Sequence, residues 1–178
     1  VPAVVTGDRL LPPDVPSLGR AFSLLSSMFL HADVWHLAGN MLFLWLFGDS
    51  VEMALGHVRY GVFYLLCGLG GAGAEILHDP ASIDPVVGAS GAISGLLAAA
   101  VMLHPRAWLV LVLPGRRVSL PVPVYVALGG WLGIQGLEAV AADLEAMVAW
   151  WSHLGGFVTG TILVLPFRHS RGQSGARP

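Results

Sequence analysis

Five apolar stretches divide most of this chain, at about 34–55, 58–77, 89–104, 120–138 and 147–167. Each is closed by turn or charge signals. These are His57 and Arg59, the loop from Asp79-Pro80 to Asp84-Pro85, then His104-Pro105-Arg106, Pro114-Gly115-Arg116-Arg117, and Asp143 to Glu145. A helix crossing a hydrocarbon layer needs roughly 17 to 25 apolar residues, so four stretches are long enough and the one over 89–104 is shorter. The chain is 55% hydrophobic and 11% charged with a mean hydropathy of +0.72, too apolar for a water-soluble globule of this length. The solvent to expect is the lipid bilayer. The expected fold is all-α, a polytopic transmembrane bundle of five helices joined by short loops, with no internal repeat. One membrane domain, 34–167, is expected between an extracytoplasmic loop segment, 1–33, and a disordered cytoplasmic tail, 168–178.

A net charge of -2 without a basic cluster outside the loops gives no reason to expect a nucleic-acid partner. The single cysteine, Cys67, sits in an apolar run and reads as a small hydrophobe between helices. There is no Cys-x-x-Cys and no His-Glu-x-x-His motif, so neither a metal nor another cofactor is expected. No pair of aspartates lies inside the apolar stretches, which excludes an aspartyl mechanism there. The chain begins with valine and has no apolar span before Arg20; the expectation is that a preceding helix is missing.

Orientation follows from arginine, which collects in cytoplasmic loops. With the second stretch running outward, Arg59, Arg106, Arg116, Arg117, Arg168, Arg171 and Arg177 share one side. Arg9 and Arg20 fall on the other, together with Asp8, Asp14, Asp33, Asp79, Asp84, Asp143 and Glu145. The first helix of this chain is therefore expected to start outside. The arginine-only basic set and the Ala/Gly-rich helices suggest a bacterial inner membrane.

Ionisable and polar groups within a membrane are costly and mark functional sites by default. Four stand out: His36, Asn40, Ser90 and His153. At about 1.5 Å of rise per residue, Asn40 and His153 each lie roughly 9 Å below the outer end of their helices. The short stretch ending at His104 spans only about 20 Å, which puts its start, Ser90, at the same level. A loop reaching that depth is tolerated only where it is buried in protein or lines a wet cavity. His36 and Asn40 are four residues apart and share one helix face. The pairs Gly91 with Gly95 and Gly156 with Gly160 let two helix backbones approach closely, as a direct Ser90–His153 hydrogen bond requires. A serine hydroxyl becomes an effective nucleophile when a neutral imidazole takes its proton. Ser90 and His153 suit those roles, and Asn40, His36 and the Ser90 backbone N–H suit an oxyanion site. With no acid near His153 in the sequence, a dyad is expected rather than a triad.

Three segments carry a resemblance. His31-Ala32-Asp33-Val34-Trp35-His36-Leu37-Ala38-Gly39-Asn40, Gly88-Ala89-Ser90-Gly91 and His153-Leu154-Gly155-Gly156-Phe157-Val158-Thr159-Gly160 resemble, in order, the signatures of the rhomboid intramembrane proteases. The resemblance covers about residues 22–167. It implies Ser90 as nucleophile, His153 as general base, His36 and Asn40 at the oxyanion site, and a transmembrane protein substrate cut near the outer end of its helix. It also implies a six-helix core of which five helices are present. Glu52 and Gly56 match a further, structural feature of the family. One turn after the nucleophile, where relatives often carry an aromatic residue stacked on the base, this chain has Ser94, and Trp150 or Trp151 is the expected substitute.

Each residue also has a plain reading. Ser90 could cap its helix, His36 could anchor at the interface, and Asn40 and His153 could be interhelical hydrogen-bond glue. His57, His78, His104 and His169 read as interfacial or solvated, while His31 is expected to shape the pocket mouth. The conjunction of four polar groups at one depth favours catalysis. The alternative is a non-catalytic protein of the same fold that binds transmembrane clients. A transporter is disfavoured by the absence of repeats and the scarcity of buried carboxylates.

Overall fold

The structure is a computed structural model and describes residues 2–7, 19–112, 119–141 and 149–170. Its elements are α1 (Pro2–Thr6), α2 (Arg20–Ser27), α3 (Val34–Leu55), α4 (His57–His78), α5 (Ser90–Leu103), β1 (Trp108–Val112), β2 (Ser119–Pro123), α6 (Val124–Ala141) and α7 (Trp150–Ser170). The five long helices occupy the five apolar stretches, and the chain is a helix bundle.

Local chemistry accounts for the sharpest boundaries. Asp33 precedes α3 in extended conformation, and its Oδ1 accepts the N–H groups of Trp35 (2.7 Å) and His36 (2.9 Å), satisfying two donors that the first helical turn leaves open. Gly56, at φ +81°, ends α3 and starts α4, a backbone conformation that L side chains rarely adopt. Glu52 and His57 pair across this corner at 2.5 Å.

The cap has a pH signature. The N–H groups of His36 and then Trp35 hold the Asp33 carboxyl below its ordinary value of 3.8. A depressed folded-state value means the contribution is complete above 3.8 and is lost as pH falls through the folded value. The thermal midpoint of the wild type is therefore expected to drop more steeply below pH 3.8 than that of Asp33→Asn, whose amide oxygen caps without titrating. Parallel curves for the two proteins would remove Asp33 as the cause.

α5 is the centre of the bundle. Every residue from Gly91 to Ala100 is buried, and the helix touches α3, α4, α6 and α7. Around it Phe47, Val51 and Leu55 of α3, Phe63 and Cys67 of α4, Leu96 and Leu97 of α5, Val124 of α6 and Val164 of α7 form one apolar cluster. The outside is apolar as well: Trp35, Trp45, Met53, Val58, Leu77 and Ile162 are exposed, whereas Asn40, Ser94, Ser152 and His153 are buried. A water-soluble fold distributes these groups the other way, and lipid is the medium that rewards this one.

Four details differ from the sequence-based expectation. Residues 1–33 include α1 and α2 in place of an unbroken loop: Thr6 Oγ1 donates to the Pro80 carbonyl at 3.1 Å, and Met28, after α2, is buried against Gly68. The stretch read as a span from 120 begins as β2, antiparallel to β1 with Trp108 opposite Pro123, and α6 starts only at Val124. Pro121 and Pro123 explain this, since proline disrupts a helix interior but is tolerated on the outer edge of a ribbon. Among the described residues α4 alone is long and apolar enough to qualify as a span by length and composition, and α5 is a shorter apolar helix; α3 carries His36, Asn40, Asp49 and Glu52. Finally, α7 runs to Ser170, past the expected helix end at 167, and 171–178 lie outside the described residues. So do Asp8, Arg9, Asp14, Arg116, Arg117, Asp143, Glu145, Arg171 and Arg177.

Candidate active site

Ser90 is the first residue of α5 and His153 the fourth of α7. Ser90 Oγ and His153 Nε2 are 2.7 Å apart, within the reach a general base needs. The plain reading of Ser90 as a cap is not realised. Ala89 occupies the cap position, and α5 has no side-chain capping bond.

The approach of α5 to α7 depends on glycine. A Cβ on Gly156 would overlap the Gly91 carbonyl oxygen, and one on Gly160 would overlap the Gly95 carbonyl oxygen. Gly95 is also pressed by Cys67 from α4. Contacts this close require backbone without side chains, which is how helices associate where lipid removes the hydrophobic drive.

On the other flank of the serine stands α3. Gly88 has φ +117°, and a Cβ there would lie 2.8 Å from His36 Nε2 and 3.6 Å from Asn40 Nδ2. His36 and Asn40 thus face the backbone that leads into Ser90. The Gly88 N–H is tied to the Ser27 carbonyl at 2.9 Å, which pins this loop to the end of α2. His31 meets the His36 ring edge-on, with centroids 5.2 Å apart. Asn40 Nδ2 and His31 Nε2 are buried without a hydrogen-bond partner among the described residues. A buried amide donor left open costs stability, and this one lies beside Gly88, two residues before Ser90.

Two side chains that sequence reasoning missed reach the same region. Trp131 of α6 lies beside His153, ring centroids 5.7 Å apart, whereas Trp151 stacks on His78. Ser94 turns its hydroxyl to the Ser90 carbonyl at 2.7 Å. Glu75 of α4, 77 positions away in sequence, accepts the Ser152 N–H at 3.0 Å. An acid inside an apolar run was the available signal. Among the described residues no group of three or more His, Cys, Asp or Glu is arranged to hold a metal ion.

A helix bundle with an apolar exterior and a Ser–His contact among buried polar groups defines a class of integral membrane protein. The match to known families is specific: the Rhomboid domain covers residues 18–170. RHOMBOID-like protein 1 of Arabidopsis thaliana is 32% identical over 148 residues, covering 83% of this chain and 35% of the relative. Rhomboid protein 1, mitochondrial, of Saccharomyces cerevisiae is 31% identical over 150 residues, covering 79% and 40%. Presenilin-associated rhomboid-like protein, mitochondrial, of Mus musculus is 31% identical over 146 residues, covering 77% and 36%. This chain belongs to the rhomboid family, whose members are integral membrane proteins. It spans about two fifths or less of the length of these relatives.

Proposed function

We propose that this chain is an intramembrane serine endopeptidase that hydrolyses peptide bonds in the transmembrane segments of other membrane proteins. The observation that carries the reading is the 2.7 Å contact between Ser90 Oγ and His153 Nε2. In the neutral imidazole with its proton on Nδ1, Nε2 accepts the Ser90 hydroxyl proton as Oγ attacks the scissile carbonyl. Negative charge then develops on the carbonyl oxygen. The Ser90 N–H, at the positive end of α5, the Asn40 amide and His36 are the candidate donors to that charge. His153 next gives its proton to the leaving amine, and water hydrolyses the acyl-enzyme by the reverse sequence.

His36, Ser90 and His153 lie in the first turns of α3, α5 and α7, and the arginine distribution supports an extracytoplasmic opening of the site. These relatives are plant and mitochondrial proteins and lend no support to a bacterial inner membrane.

The test is cleavage of a reporter transmembrane substrate by the chain in liposomes, alongside Ser90→Ala and His153→Ala. Cleavage lost in both variants supports the dyad. A folded wild type that binds the reporter without cutting it establishes the non-catalytic, client-binding alternative. A subtler expectation concerns Asn40. Asn40→Ala removes one oxyanion donor and should lower kcat by about 10²- to 10³-fold, equivalent to about 2.7–4 kcal/mol. Because Asn40 Nδ2 has no partner to lose among the described residues, the thermal midpoint should not fall. Loss of stability with kcat preserved would instead mark Asn40 as interhelical glue.

A further inference from the structure

The outer end of α4 grips the first turn of α7 at two points. Glu75 Oε2 accepts the Ser152 N–H at 3.0 Å. One turn further along α4, the His78 ring stacks on Trp151 with centroids 4.6 Å apart and planes inclined by 23°. Glu75 and His78 are three residues apart and therefore share a face of α4. Their targets, Trp151 and Ser152, immediately precede His153.

The first N–H groups of a helix need acceptors from outside it. A serine, threonine or aspartate just before the helix normally supplies one, but Ala149 precedes α7 and has no side-chain acceptor. Ser152 is the third residue of α7, so Glu75 supplies from a neighbouring helix the bond that a local cap would make. Below this point the two helices are in direct contact. A Cβ on Gly71 would lie 2.5 Å from the Ser152 carbonyl oxygen, and one on Gly155 would lie 2.6 Å from the Gly70 carbonyl oxygen. Sliding or rotating α7 against α4 breaks the carboxylate bond and the ring stack together.

We propose that Glu75 and His78 are positioning residues: they set the rotation and register of the first turn of α7 and so hold His153 Nε2 on Ser90 Oγ. The inference rests on the dyad proposed above. It also accounts for a carboxylate within an apolar helix, where an ionisable group is expensive unless it has a specific task.

The experiment measures the rate at which a fluorophosphonate labels Ser90 in the full chain in liposomes. Ser90 Oγ attacks phosphorus, fluoride leaves, and His153 takes the hydroxyl proton, so the rate reads the pairing of serine and base without a docked substrate. Glu75→Ala should label about tenfold more slowly, since a displacement near 1 Å at reacting groups can cost about a hundredfold. Glu75→Gln should stay within about twofold of wild type, because an amide oxygen accepts the same N–H bond. His78→Ala should be slowed and His78→Phe restored, since a phenyl ring keeps the stack; this pair decides the matter if Glu75→Ala does not fold. A residue that merely stabilised the bundle would lower the thermal midpoint and leave the labelling rate of folded protein unchanged, which overturns the proposal. Glu75→Gln as slow as Glu75→Ala overturns it too. A wild type that is never labelled at Ser90 removes the dyad and the proposal together, whereas a labelled wild type matched by Glu75→Ala removes only the proposal.

Discussion

Replacing Ser90 by alanine is expected to lower cleavage of a transmembrane substrate by at least about 10⁴-fold, the scale on which serine hydrolases respond to loss of the nucleophile. His153→Ala should cost a similar amount. The double variant should cost no more than the worse single one, because nucleophile and base act as a unit and neither has residual work once its partner is gone. This non-additivity is the sharper measurement, since two independent structural roles would multiply. The 2.7 Å bond itself contributes about 1 kcal/mol to folding, so Ser90→Ala should shift the thermal midpoint by only a few degrees. Cleavage that survives in Ser90→Ala would end the reading.

Gly156→Val is expected to disable the protein from within the helix interface. The added Cβ meets the Gly91 carbonyl oxygen, a backbone atom that cannot rotate aside as a flexible side chain would. α7 must then withdraw from α5, and overpacking of this kind costs about 1–3 kcal/mol. Activity should suffer more than stability. Gly91 is bonded in sequence to Ser90, and Gly156 lies three residues from His153. Separating them stretches the Ser90–His153 contact, and a displacement near 1 Å is worth about a hundredfold in rate. Gly61→Ala is the matched control on α4: nothing lies within 4 Å of its added Cβ, and helix propensity should make it neutral or stabilising by up to about 1 kcal/mol. Equal effects of Gly156→Val and Gly61→Ala on cleavage and on thermal unfolding would show that close approach of α5 and α7 is not required.

The chain's relation to lipid, the five long helices and three of the site's supporting elements were legible in the residues alone, because each rests on local information. Hydropathy over about 20 residues states which medium a helix prefers. The four-residue spacing of His36 and Asn40 states that they share a face, and constant helical rise converts position into depth. The corner at Gly56, between α3 and α4, lies where the apolar pattern breaks. Proline also acts locally, and the strand at Ser119–Pro123 could have been read from Pro121 and Pro123.

Other features depend on which helix lies beside which, and periodicity within one helix does not encode that. Glu75 reaches the residue before His153 across 77 positions of sequence. The aromatic neighbour of His153 is Trp131 of α6, while Trp151, two residues away in the chain, faces His78. The short helices at Pro2–Thr6 and Arg20–Ser27 depend on the 79–89 loop and on the space at Gly68, into which Met28 fits. The residues alone thus determined the preferred solvent and the helices, since these follow from local transfer energies and fixed helical geometry. Tertiary structure alone decided that Glu75 and Trp131 stand beside the Ser90–His153 pair, because in a bundle surrounded by lipid the neighbours are chosen by close backbone approach between helices distant in sequence.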